Sequence, residues 1–384
     1  MSITNNFCSG GSSDKIEIGT ITTFSDVKNR DGMILCDGSN ILTSDYPSLE
    51  GKIELVGECF KLDNNIEYYF PKPLNNLYFA IRKNSDNTRD LMKSSDFKNW
   101  SVCYANCNIS LASSLYGNMG VYAWGYYIFF RGNGSYIYST NLSDWQTYSP
   151  SFGSYNPGVY HVAFGNNVIL MSGNSGFYSV GTNITSWGGR KSLSGEYNIY
   201  FMDFVNGYFI LGGWINSTYR TFKTTDGQTM TELYSSSRNS YPQDSYVRWV
   251  YNNKLYALRK ETSDDGSHKL IEVDISSGSR TEKFETIVGG VSYLSITDAG
   301  IFAVGNVSTT AFSLYLTTDN FNTYQTFKGE SISSATLENA FYAKGALYLH
   351  QGSQGYCYFD GVTKKLKLPT LNDTTNQLYG YIKT

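Results

Sequence analysis

The chemistry available to this 384-residue chain rests on its arginines, three histidines, one close cysteine pair and a large stock of tyrosine. Arg82, Arg89, Arg131, Arg220, Arg248 and Arg259, if a fold brought them together, would clamp a carboxylate through paired N–H donors. Hydrolysis of an anionic sugar at such a clamp also needs a nucleophile and an acid, and carboxylates are sparse in the segments that read as loops. His161, His268 and His350 lie far apart with no second metal-type residue at ligand spacing, so no metal and no other cofactor is expected. Cys103 and Cys107 fall on one face of an expected strand. Four residues of strand span roughly 13 Å, too far for a disulfide or a shared metal, so both are read as buried thiols.

Recognition chemistry is better represented than catalysis. Aromatic planes stack on sugar rings, while Asn, Ser and Arg satisfy hydroxyls or phosphates. The candidate ligand contacts are Trp214 with Asn216 and Tyr219, Tyr155 with Asn156, Tyr197, Tyr241, Arg131 with Asn133, and His268. All stand on segments expected between strands.

The elements that must carry these residues are strands. Tyr (33), Gly (37) and Phe (22) are abundant where a helical protein would hold Glu, Lys and Ala, and only 16% of residues are charged. The formal net charge of −3 comes with no long run of either sign, which argues against a nucleic-acid partner. The opening residues have neither a basic start nor an apolar run, and no apolar stretch approaches the ~20 residues of a membrane helix. The expectation is a soluble chain made in the cytosol. Asn-x-Ser/Thr triplets at Asn108, Asn133, Asn141, Asn183, Asn216, Asn306 and Asn372 are read as loop chemistry.

One short phrase recurs seven times: an apolar stretch, then Ser/Thr-x-Asp or a variant, then turn formers, then usually an aromatic. Ser94-Ser95-Asp96-Phe97-Lys98-Asn99-Trp100 and Ser139-Thr140-Asn141-Leu142-Ser143-Asp144-Trp145 are clear copies. Its Asp or Asn stands at Asp96, Asn141, Asn183, Asp226, Asp274, Asp319 and Asp360, so that successive copies lie 41 to 48 residues apart. Before each comes Asn or Gly and an apolar run, as in Asn76-Leu77-Tyr78-Phe79 and Gly207-Tyr208-Phe209-Ile210, each read as a strand that begins at a turn. A period near 44 residues with about four short strands matches one blade of a β-propeller, a unit that buries its faces only against neighbours. The expected fold is all-β: a seven-bladed β-propeller of four-stranded antiparallel blades with a small N-terminal domain. The recurring Asp or Asn is expected to accept hydrogen bonds from backbone N–H groups in a tight turn between third and fourth strands, with the following aromatic packed between blades.

This phrase resembles the Asp-box repeat of sialidase-type propellers, clearly at Asp96, Asn141, Asp226 and Asp319 and less so at Asn183, Asp274 and Asp360. The resemblance implies a folding role for these residues, on the face opposite the ligand site. The Phe-Arg-Ile-Pro signature of sialidases is absent. Gly32-Met33-Ile34-Leu35-Cys36-Asp37-Gly38-Ser39, followed by Tyr46-Pro47-Ser48-Leu49, is similar to the bacteriophage tail-collar domain, with Tyr46-Pro47 starting a short helix. The Phe-x-Leu-Pro-x-Leu continuation of collar domains breaks at Phe60-Lys61-Leu62-Asp63, and a better copy stands at Leu366-Lys367-Leu368-Pro369-Thr370-Leu371.

Three segments are therefore expected: a collar-like attachment domain over 1–65, the propeller over 66–365, and a C-terminal segment over 366–384. The last either returns to complete the collar unit or pairs with the first blade. The resemblances imply a non-enzymatic tail component of a virion, made in the host cytoplasm. Its partners would be other tail proteins and a host-surface glycan or teichoic-acid-like polymer, and it would be homo-oligomeric, with a trimer implied by the collar resemblance. A purely architectural tail protein and a sialidase-like glycosidase are the alternatives.

Overall fold

A two-residue hairpin with both residues in the left-handed region twists the way its flanking strands do, and Asn and Gly adopt that conformation most readily. Asn75-Asn76, Asn166-Asn167 and Asn206-Gly207 do so, with φ of 47° and 62°, 44° and 60°, and 49° and 80°. Trp124-Gly125 takes the same turn at 52° and 83°. Each joins the first and second strands of a sheet, which explains why Asn or Gly precedes the apolar runs. The computed structural model describes most of residues 65–286, strands between 21 and 61 and between 292 and 383, and the turn at 45–49.

Among the described residues there are seven four-stranded antiparallel blades. Blade 1 comprises Ile66–Tyr69, Tyr78–Lys83, Arg89–Ser94 and Ser101–Tyr104, and blade 2 Gly120–Ala123, Tyr126–Phe130, Tyr136–Ser139 and Gln146–Tyr148. Blade 3 runs His161–Gly165, Val168–Ser172 and Phe177–Asn183, its outer position shared by Ser186–Trp187 and Lys191–Ser192. Blade 4 is Glu196–Val205, Tyr208–Ile215, Thr218–Thr224 and Thr231–Ser237; blade 5 is Gln243–Tyr251, Lys254–Lys260, His268–Val273 and Arg280–Thr286. Blade 6 is Ser292–Ile296, Phe302–Val307, Ala311–Thr317 and Gln325–Glu330. Blade 7 takes three strands from Asn339–Ala343, Ala346–His350 and Tyr356–Lys367, and its fourth from Leu55–Lys61, inside the segment read as the N-terminal domain. That strand pairs antiparallel with Tyr356–Lys367 (Cys357↔Lys61, Phe359↔Cys59) and parallel with the outer strand of blade 6 (Phe327↔Leu55).

First strands of successive blades from 2 to 7 lie against one another, which places them innermost. Second strands of blades 1 to 5 are covered on both faces. Phe79-Ala80-Ile81, Ile128-Phe129-Phe130, Ile169-Leu170-Met171, Phe209-Ile210-Leu211 and Leu255-Tyr256-Ala257-Leu258 are at most 1% exposed, hence continuous apolar runs rather than alternation. The ring closes where Tyr348 of blade 7 meets Phe97 and Tyr69 of blade 1, ring centroids 4.4 and 6.0 Å apart, with Ala343 and Tyr78 in the same buried cluster.

Outside the blades, Leu378–Lys383 lies between Ile21–Phe24 and Met33–Leu35, antiparallel to both (Ile382 opposite Ile21 and Ile34), and also pairs with Asn372–Asp373. Asn40–Leu42 pairs with the far end of Tyr356–Lys367. A single 3-10 turn, Pro47–Leu49, follows Tyr46, whose carbonyl accepts the Leu49 N–H at 3.1 Å while the Leu49 side chain is fully buried. No helix among the described residues is long and apolar enough to cross a membrane.

Removing the ring that bridges blades 7 and 1 leaves a cavity at the closure. Tyr348→Ala is expected to lower unfolding free energy by about 3 kcal/mol, read from urea denaturation, since truncating a buried aromatic costs its transfer energy and the void left behind.

Candidate functional site

In an antiparallel blade, the turns between strands one and two and between three and four fall at one end; the second–third hairpins and inter-blade connections fall at the other. The recurring phrase occupies the third-to-fourth turns. In blade 1, Asp96 Oδ1 accepts the N–H groups of Lys98 and Asn99 at 2.9 and 2.8 Å and the Ser94 hydroxyl at 2.9 Å, while Ser94 Oγ accepts the Phe97 N–H at 2.9 Å. Asn141 repeats this in blade 2, accepting the N–H groups of Ser143 and Asp144, each at 2.9 Å, with Leu142 N–H on Ser139 Oγ. Asp226 repeats it in blade 4 with Gln228 and Thr229 at 2.7 and 3.4 Å, and with Gly227 N–H on Thr224 Oγ1. The residue after each acceptor is left-handed: Phe97 and Leu142 at 62°, Gly227 at 71°.

Eroded copies keep less. Asn183 accepts only the Thr185 backbone N–H and hydroxyl, and Asp274 accepts Ser276 Oγ and the Ser277 N–H and hydroxyl. Asp319 lies outside the described residues. Asp360 sits inside a strand opposite Glu58, so no such turn forms around it. The closing aromatics tie blades together: Trp145 Nε1 donates to Cys103 O of blade 1 at 2.9 Å and its ring stacks on Tyr104, while Trp187 Nε1 donates to the Tyr136 hydroxyl of blade 2 at 2.9 Å. These residues shape the turns and tie neighbouring blades together.

Towards the opposite end, Arg82, Arg89, Arg131, Arg220 and Arg259 do not converge. Arg82 pairs with Asp90 at 2.7 Å, and Arg89 is bidentate to Glu67 at 2.6 and 3.1 Å, both within blade 1. Arg131 donates twice to Cys107 O, at 3.2 and 3.1 Å, pinning the connection from blade 1 to blade 2. Arg220 pairs with Glu232 in blade 4, and Arg259 with Glu282 in blade 5 beside Lys269. Arg248 lies in the strand Gln243–Tyr251. Each described guanidinium is engaged where it stands, and no group of three or more metal-ligating side chains occurs among the described residues.

The candidate ligand contacts divide similarly. Tyr219 is 6% exposed and belongs to the interior rather than to a ligand surface. Asn133 Oδ1 accepts the Ser135 N–H and hydroxyl at 3.0 and 2.7 Å, shaping the same hairpin as Arg131. Trp214, Tyr197 and His268 lie on strands of blades 4 and 5, whereas Asn216, Tyr155, Asn156 and Tyr241 fall outside the described residues. Both cysteines are free: Cys103 is on the outer strand of blade 1, its thiol pushed up to about 12 by burial, and Cys107 lies past that strand, in the connection, instead of on it.

Two features had no sequence signal. His161, first residue of the inner strand of blade 3, is 4% exposed; burial pushes its imidazole down to about 4, against a backbone hydrogen bond at Ile199 of blade 4. Lys72 and Asp203, 131 residues apart, form an ion pair. Neither contact follows from local spacing.

These groups set the acid response. An unfolded histidine near 6.5 binds protons that buried His161 refuses, so its contribution falls as pH drops from about 6.5 to about 4. The turn carboxylates act lower: N–H donors of Asn99 and Lys98 depress Asp96, that of Gln228 depresses Asp226, and Ser276 and Ser277 bring Asp274 to about 2. Their stabilisation is complete above the usual value of 3.8 and is lost as pH falls through the depressed values. In acid titration followed by tryptophan fluorescence, His161→Gln is expected to flatten the arm between pH 6.5 and 4. Asp226→Asn, which copies Asn141, is expected to soften only the lower arm, whereas Asp226→Ala loses about 1 kcal/mol at neutral pH through the unsatisfied N–H groups.

No protein-family model matches the sequence, and no curated protein matches it. Among solved structures, YCF48 bound to D1 peptide is similar over 80% of this chain and 96% of its own, at 12% identity and a TM-score of 0.51. The Pan2 WD40 domain of Neurospora crassa is similar over 81% of this chain and 96% of its own, at 10% identity and a TM-score of 0.50. At such identities the likeness is one of architecture, and with the blade topology it makes this chain an all-β propeller.

Proposed function

We propose that the chain is a non-enzymatic component of a phage tail or tail-like particle, held to the particle by its terminal sheet and binding a host-surface glycan or teichoic-acid-like polymer through the propeller. The observation that carries this reading is the sheet in which Leu378–Lys383 lies between Ile21–Phe24 and Met33–Leu35. Strands that precede and follow the ring in sequence are woven together beside it, as suits an attachment module. The same segment holds the Gly32-to-Leu49 sequence that resembles the tail-collar domain. Against hydrolysis stands the engagement of Arg82, Arg89, Arg220 and Arg259 within their own blades and of Arg131 on the connection from blade 1 to blade 2, which takes up donors that a sialidase would turn on a substrate carboxylate.

The test uses the purified full chain. Fluorescently labelled protein is expected to bind intact susceptible cells and to lose that binding when surface polysaccharide is stripped, and gold-labelled antibody is expected to mark the virion tail. Tail labelling without cell binding would make the protein architectural; turnover of a generic sialoside would overturn the non-enzymatic reading.

A further inference from the structure

The first hairpin of blade 1 is longer than those of blades 2 to 4, whose first strands end directly at the two-residue turn. Phe70 N–H bonds Phe79 O at 3.0 Å, and the tip around Asn75-Asn76 is closed by Leu74 and Leu77, which exchange bonds of 2.8 and 3.0 Å. Pro71-Lys72-Pro73 lies between these anchors. Proline offers no N–H to a ladder and fixes its own φ, so the three residues stand out of the sheet as a stiff arch. Both feet are buried, Phe70 at 1% and Leu74 at 7% exposure, and Asn75 Nδ2 donates to the Tyr127 hydroxyl of blade 2 at 3.0 Å.

From this arch the Lys72 ammonium reaches the carboxylate of Asp203 on the inner strand of blade 4, whose other oxygen accepts the Phe204 N–H at 2.8 Å. In a ring of seven, no blade stands farther from blade 1 than blade 4. A contact between the first hairpin of blade 1 and the inner strand of blade 4 therefore crosses the ring, at the end where the first-to-second turns lie.

We propose that Pro71-Lys72-Pro73 is a strut that spans the central channel, tying blade 1 to blade 4 and obstructing that end, so that a ligand enters the channel from the end of the second-to-third hairpins. Two buried feet and two prolines keep the arch ordered before the ion pair forms, so little side-chain entropy beyond that of Lys72 itself is lost on pairing.

Two measurements test this in the full chain. Lys72→Cys with Asp203→Cys, treated with a short bis-maleimide, is expected to give an intramolecular cross-link between positions 72 and 203 in the peptide map; its absence in folded protein would overturn the strut. The thermal midpoint of the parent is expected to fall with added salt, Lys72→Gln and Asp203→Asn are expected to lose that salt-sensitive part, and the swap Lys72→Asp with Asp203→Lys to restore it. Purely additive losses would overturn the tie. For the obstruction, an Asp203→Cys thiol under the arch, which still stands on its buried feet, is expected to react more slowly with a polymer-linked maleimide than the same thiol in a variant whose Pro71-Lys72-Pro73 is replaced by three glycines, and equal rates would show an open end.

Discussion

A radial sheet is hydrophobic on both faces and stable only between two others, so every blade depends on the closure of the ring. Closure here uses two kinds of bond. A backbone ladder joins Leu55–Lys61 to Tyr356–Lys367, making one blade from opposite ends of the chain. Beside it, Tyr348 packs into the aromatic cluster of Phe97 and Tyr69, which is directional only through its ring geometry. The ladder sets register, and the cluster supplies buried area.

Much of this was legible in the residues. Asn-Asn and Asn-Gly before apolar runs announce left-handed hairpins, because few other side chains accept that backbone, and the structure places them at the start of second strands in blades 1, 3 and 4. The Ser/Thr-x-Asp/Asn phrase was equally readable: its chemistry is local, satisfied within about four residues, so sequence order determines it. Asp360 shows the limit. It keeps the period, but its blade takes its fourth strand from Leu55–Lys61, so no third-to-fourth turn follows it and it lies in a strand.

The candidate site was less legible, for a physical reason. Aromatic and amide side chains look alike in sequence whether they meet solvent or a neighbouring blade, and only the register of the sheet separates them. Tyr219 alternates inward, and Asn133 and Arg131 are consumed in shaping their own hairpin and its connection. The arginines were read as a set because they share a charge, yet Arg82, Arg89, Arg131, Arg220 and Arg259 each have a carboxylate or carbonyl within their own blade or at its border. Partners such as Lys72 and Asp203 meet only because seven sheets curve into a circle, and nothing near either residue encodes that curvature.

The shared seventh blade also governs when the molecule is finished. Leu55–Lys61 leaves the ribosome long before its antiparallel partner, Tyr356–Lys367. At about 5–20 residues per second, that interval is roughly a quarter of a minute to a minute, during which an edge strand waits with its hydrogen-bonding groups unpaired. The ring thus closes only when the earlier strand captures the later one, and until that moment six blades form an open arc whose first and last faces are wet.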